Sequence, residues 1–126
     1  MYKLNEIENF KYLTFPILDK YDDLLHCFTT RSGGVSKGAY ESMNLGFDTG
    51  DDEENVRKNY YILTEKLGIN IEDIVETYQT HTNNIRYVTE NDKGRAMEDP
   101  EYTDIDGLYT DKKNIALMSF HADCNA

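Results

Sequence analysis

The stretch "DDEENVRKNYYILTEKLGI", residues 51–69, decides the fold class. Val56, Tyr60, Leu63 and Leu67 recur at helical spacing, so one face is apolar. Asp51 or Asp52 stands where an N-terminal cap belongs, acids fill the first turn, and Gly68 supplies the stop. The segments around it read as strands and turns. One helix among strands predicts an α+β class.

Working outward, "KLNEIENFKYLTFPIL" (3–18) mixes aromatic and aliphatic residues before Pro16 and predicts a strand or two. "LLHCFTT" (24–30) predicts a buried strand that runs to a Gly33-Gly34 turn. Downstream, "IVETYQTHTNNIRYVT" (74–89) predicts two strands around a polar turn at 82–84. Residues 91–105 are a polar excursion with Gly94 and Pro100, which predicts a surface loop. "DGLYTD" (106–111) is a turn beside a short strand, and "NIALMSFHADC" (114–124) has the apolar run of a buried central strand. Its polar end group falls two residues before the last residue, Ala126. Termini normally fray at the surface, so the expectation is that residues 1–126 form the N-terminal portion of one longer domain.

Bulk properties narrow the function. A net charge of −11 argues against nucleic acid, whose phosphates need cations, and against anionic membrane surfaces. Ten tyrosines and no tryptophan point to a core edged by amphipathic rings. Two cysteines are too few for a disulfide scaffold. With no transmembrane-length apolar run and no signal-like N-terminus, a reducing cytoplasm is the expected setting.

"TTRSGGVSKGAYESMNLG" (29–46) has two readings from its residues alone. One is a glycine-bearing hairpin with Arg31 in solvent. The other is an anion site, in which Gly33 and Gly34 let backbone N–H groups turn inward and the Arg31 guanidinium forks onto phosphate or carboxylate. Both stand at this point. Of the remaining candidates, His26 and Cys27 sit in an apolar segment, where core packing outweighs a site. His81 stands at a strand end beside a polar turn, where scaffolds present functional groups, but from the residues alone a hydrogen-bonded surface histidine is favoured over a ligand. Cysteine and histidine suit zinc, yet His81 and Cys124 are too far apart for a local finger. His121 and Cys124 are an odd number of residues apart, which in a strand points them to opposite faces.

Five segments in order carry a family resemblance: "FTTRSGGVSKGAYESMNLG", "GDDEENVRKNYYILTEKLG", "QTH" at 79–81, "DGLYT" at 106–110 and "ADC" at 122–124. The chain resembles the peptidoglycan editing factor family, also known as multicopper polyphenol oxidase or laccase-domain proteins, from Cys27 to Cys124. The resemblance implies a zinc-dependent purine nucleoside phosphorylase that also deaminates adenosine, acting on purine nucleosides and phosphate. It implies zinc ligands at His81 and Cys124, and a third in a downstream His-Ala-Gly-Trp-Arg-Gly-like segment that has no counterpart here. It puts Arg31, Gly33, Gly34 and Asn44 near the substrate. The implied fold is similar to the layered α/β/β/α sandwich of deamidating toxins. Alone, such a portion is expected to be inactive and to associate with another copy through uncovered sheet edges.

Mechanistically, zinc with three protein ligands keeps a fourth position for water or substrate. Asp106 and Asp123 are candidate proton-handling or orienting carboxylates, and Arg31 the holder of phosphate charge. A multi-copper oxidase needs several histidines, and this chain has three, scattered. Two further readings differ in class. One is a non-catalytic nucleotide- or partner-binding chain. The other is a metal-free cysteine hydrolase pairing Cys124 with His81.

Overall fold

Lys3 to Thr14 folds back on itself because the chain alternates strand-forming residues around a two-residue turn. Strand β1 (Lys3–Ile7) pairs antiparallel with β2 (Phe10–Thr14), with Ile7 opposite Phe10. Glu8, in the turn, adopts a φ of 56°, the left-handed backbone that so short a hairpin connection requires. A third strand, β3 (Phe28–Thr29), adds to the other side of β2. These lie in the first of two compact units, residues 1–66 and 67–126, of a computed structural model that describes residues 1–122.

The strand expected over residues 24–30 is therefore only two residues long, and the reason is visible. Tyr12 lies opposite Thr29 and Leu13 opposite Phe28, a register that would set Pro16 against Leu25. Proline has no N–H for a ladder, and the chain turns away in a 3₁₀ turn at Pro16–Leu18. The Phe15 N–H instead donates to His26 Nε2 at 2.8 Å. Leu24 and Leu25 stay exposed. His26 is the satisfied imidazole its setting suggested, and Cys27 is a half-buried free thiol.

Helix α1 (Glu53–Leu67) follows the sequence reading closely. Asp52 caps it: its carboxylate accepts the Glu54 N–H at 2.9 Å, and its carbonyl accepts that of Val56. Gly68, at φ 68°, ends it. Val56, Asn59, Tyr60 and Leu63 form the buried face, and Leu67 is half-buried. A cap contributes about 1 kcal/mol, whereas each large buried apolar side chain contributes about 1.5–3 kcal/mol. Packing, not capping, holds this helix.

The second unit is built from four short strands: β4 (Ile74–Glu76), β5 (Ile85–Tyr87), β6 (Gly107–Tyr109) and β7 (Ala116–Met118). β4 runs parallel to β7, and β5 parallel to β6. The two strands expected in 74–89 thus exist but belong to different sheets. Between them Tyr78 bridges to Ile105, and the Asn84 carbonyl accepts the Asp106 and Gly107 N–H groups, so the linking segment is bonded to distant residues rather than closed as a hairpin. β7 also departs from expectation. Among the described residues β4 is its one partner and Leu117 is 42% exposed, so it is an edge strand covered on one face. The excursion at 91–105 has no strand, as its composition predicted. No helix among the described residues is long and apolar enough to cross a membrane.

Candidate functional site

In the second unit the site is organised by one carboxylate. Asp106 Oδ1 accepts the N–H groups of Thr80 and Thr82, each at 3.0 Å, and the Thr82 hydroxyl at 2.9 Å. Its Oδ2 accepts the His81 N–H at 2.9 Å. These donors, with the Thr80 N–H contributing most, hold the carboxyl down at about 2, against the ordinary 3.8 of an aspartate. A group so acidic is a poor proton shuttle near neutral pH, so the geometry favours orientation of the two roles expected of Asp106. Asp104 completes the clamp, its side chain taking the Thr80 hydroxyl at 2.8 Å and its carbonyl the Asn84 amide at 3.0 Å.

His81 sits at the crest of this loop with φ 63°, a conformation the surrounding bonds impose. Its imidazole is exposed and makes no hydrogen bond among the described residues. An exposed imidazole on a fixed backbone turn, unspent among the described residues, fits a metal ligand. Among the described residues no three His, Cys, Asp or Glu side chains converge as a ligand set. Asp123 and Cys124, the expected carboxylate and the second expected ligand, lie outside the described residues. His121 approaches Ser119, with 3.0 Å between Nε2 and Oγ.

The other candidates, Arg31, Gly33, Gly34 and Asn44, lie in the first unit and are knitted together through residues 42–44. The Arg31 carbonyl accepts the N–H groups of Ser42 and Met43, and its Nε donates to the Glu41 carbonyl at 2.8 Å. The remaining guanidinium nitrogens make no bond among the described residues, and Arg31 lines a shallow depression of about 440 Å3 together with Gly33, Lys11, Glu6 and Glu41. Lys11 faces Glu6 at 3.6 Å, and Arg31 has no ion-pair partner among the described residues.

The glycine turn itself does different work from cradling an anion. A Cβ on Gly33 would lie 2.5 Å from Phe10 Cα, and one on Gly34 2.1 Å from the Ser42 carbonyl oxygen. Both glycines let two backbones approach. The Gly34 N–H donates to Ser42 Oγ and the Val35 N–H to Asn59 Oδ1, so neither is turned toward a ligand. Asn44 is likewise spent on its neighbours: its amide donates to Thr49 Oγ1 at 2.8 Å and to Asp51 Oδ2 at 3.1 Å, and accepts the Gly46 N–H.

Two organising residues escaped the sequence reading. Asn59, fully buried in α1, accepts the Val35 N–H and donates to Ser36 Oγ, the Ser42 carbonyl and the Asn44 carbonyl. Its signal was there: a polar residue on the apolar stripe between Val56 and Leu63. Gln79, inside the "QTH" motif, bonds Phe120 through both ends of its amide. Its partner is distant in sequence, and nothing local marked it.

Comparison with known proteins adds the context. A family model described as multi-copper polyphenol oxidoreductase laccase matches residues 25–126. Purine nucleoside phosphorylase YlmD of Geobacillus stearothermophilus is 39% identical over 98 residues, which is 76% of this chain and 36% of that protein. The Bacillus subtilis protein of the same name is 34% identical over 99 residues, 77% of this chain and 36% of its own length. The chain thus spans a little over a third of these curated relatives. The crystal structure of YlmD from G. stearothermophilus superposes with a TM-score of 0.80 at 33% identity, over 95% of this chain and 44% of that one. The Bacillus licheniformis hypothetical protein YfiH gives 0.82 at 29% identity, over 96% and 45%.

Proposed function

Because the chain belongs to the multi-copper polyphenol oxidoreductase laccase family, and relatives in it are named purine nucleoside phosphorylase, we propose that it is part of such a phosphorylase. On this proposal, motivated by relatives of which the chain spans a little over a third, residues 1–126 are the N-terminal portion of a single domain, a layered α/β/β/α sandwich working in the cytoplasm. The metal would be zinc, and His81, Cys124 and a histidine from outside these residues would hold it. Bound there, zinc supplies a Lewis acid with an open coordination position.

The observation that carries this reading is the His81 loop, an unspent imidazole presented on a clamped turn. Asp106 keeps that turn in place and leaves proton transfer to other groups. In phosphorolysis a phosphate oxygen forms a bond to the ribose C1′. The bond from C1′ to the purine breaks, and the base leaves with its electrons and takes a proton. Adenosine deamination instead adds water at C6 and releases ammonia. The first reaction alone needs an anion, phosphate, held beside the nucleoside, and Arg31 is the group proposed to hold it. Gly33, Gly34 and Asn44 shape the backbone that carries Arg31, and Asp123 is proposed as a proton-handling or orienting carboxylate.

Phosphate-dependent release of base from adenosine or inosine by the full-length protein tests the reading, and its absence would overturn it. Arg31→Ala should lower base release more than ammonia release. Equal losses would remove Arg31 from the phosphate. The isolated 126-residue chain should bind zinc weakly, since two protein ligands leave half a tetrahedral site to water. Tight one-to-one zinc in a monomer of this chain would contradict the three-ligand assignment, as would rescue of binding by self-association through its sheet edges.

A further inference from the structure

Backbone pairing between β4 and β7 ends at Glu76 opposite Met118, with one more bond from the Thr77 N–H to the Met118 carbonyl. At Tyr78 the main chain leaves β7, because its N–H and carbonyl pair with Ile105 at 3.0 and 2.9 Å. Beyond that point a side chain takes over. Gln79 Nε2 donates to the Phe120 carbonyl at 3.0 Å, and Gln79 Oε1 accepts the Phe120 N–H at 2.8 Å. The same oxygen accepts the Thr77 hydroxyl at 2.7 Å, which fixes the amide's orientation.

We propose that Gln79 is a positioning residue, the joint that sets the spacing between the His81 loop and the segment running from Phe120 toward Cys124. The inference rests on the metal reading of His81 and Cys124 given above. The amide donates to and accepts from one residue's backbone through two separate atoms; a carboxylate or an ammonium serves one half. The joint is also separable from the fold. Asp106 holds the 80–82 loop without help from Gln79, and β7 is held by β4. Losing Gln79 therefore leaves both segments folded but lets their separation vary, which weakens any ligand shared by them. The Gln79 side chain is on the surface, so its removal opens no cavity.

The test uses the full-length protein as wild type, Gln79→Met, Gln79→Glu and His81→Ala. Zinc affinity is read by competition with a chromogenic chelator. Cobalt(II) substitution reports ligand geometry through its d–d and thiolate charge-transfer bands, which a merely structural residue would not move. Gln79→Met should bind zinc about 10–100-fold more weakly, the usual scale for a partner that orients a ligand, with shifted cobalt bands and an unchanged metal-free melting temperature. Gln79→Glu, which keeps the bond to the Phe120 N–H, should fall between the two. It carries the same test if the methionine variant fails to fold. Wild-type affinity and bands in both variants, with His81→Ala defective, would overturn the inference alone. If the wild type binds no zinc, or His81→Ala binds it as well as the wild type, the metal reading fails and takes the inference with it.

Discussion

Each unit of this molecule fixes an irregular loop with a single side chain, and the two chose opposite chemistries. In the first, Asn59 is 0% exposed and serves four backbone or hydroxyl groups of residues 35–44 with a neutral amide. In the second, Asp106 lies nearer the surface and gathers three consecutive N–H groups onto a carboxylate. The difference follows from solvation. Removing a charge from water costs several kcal/mol unless it is matched, so a deeply buried hub is best neutral. Near water the charge is affordable, and it accepts N–H donors more strongly than an amide does. The buried hub builds the fold, while the surface hub presents one side chain, His81.

The sharpest way to break this contrast is Asn59→Ala. It strands the part-buried Val35 N–H and Asn44 carbonyl, while the Ser42 carbonyl keeps the Ser36 N–H, and should cost about 3 kcal/mol, read by urea unfolding. A loss under about 1 kcal/mol would mean that water replaces the amide and the hub is not buried in solution. Next in size is Gly34→Ala, whose new methyl meets the Ser42 carbonyl oxygen and Met43 Cα, both backbone. Because neither can swing aside, about 2 kcal/mol of destabilisation is expected by the same measurement. A neutral result would show that residues 42–43 shift freely and that the Asn59 network is looser than drawn.

Asp106→Asn should act locally. An amide turns an NH2 toward the donors that a carboxylate accepts, so amide exchange should quicken at Thr80, His81 and Thr82 while α1 keeps its protection. Loss of protection throughout the chain would make Asp106 a fold residue like Asn59. The smallest effect is the pH dependence. The folded pKa of Asp106 is lowered from 3.8 to about 2, so its contribution is complete above about pH 4 and is lost as the pH falls through about 2. Asp51, lowered chiefly by the Ser36 hydroxyl, gives the first unit a weaker dependence of the same sign. Exchange at residues 80–82 followed from pH 5 to pH 2 checks this, and protection that vanishes at pH 4 would contradict it.

Helix α1 was legible because everything that specifies it is local: the apolar spacing, Asp52 before the first turn, Gly68 after the last. A strand or two over residues 3–18 was legible for the same reason, but not their pairing as a hairpin. The strands of the second unit were legible only as short apolar runs. Three residues carry too little pattern to say whether β4 pairs with its neighbour β5 or with distant β7. His81 stood out by its place beside a polar turn, but its conformation did not, since that is imposed by a carboxylate far along the chain. Gly33 and Gly34 were noticed for a sound reason, backbone freedom. The use made of it is close packing against Phe10 and Ser42.

The amino-acid sequence determined by itself the helix and its ends, the strand-rich remainder, the acidic surface and, through five ordered motifs, the family. These are properties of neighbouring residues, or of residue identity alone. The tertiary structure alone decided which strands pair, which of the conspicuous polar residues are spent on the chain itself, and that Asn59, Asp106 and Gln79 are the joints. Hydrogen-bond partners are assigned by distances that only the fold brings within reach, and a side chain has no role until its partner has a place.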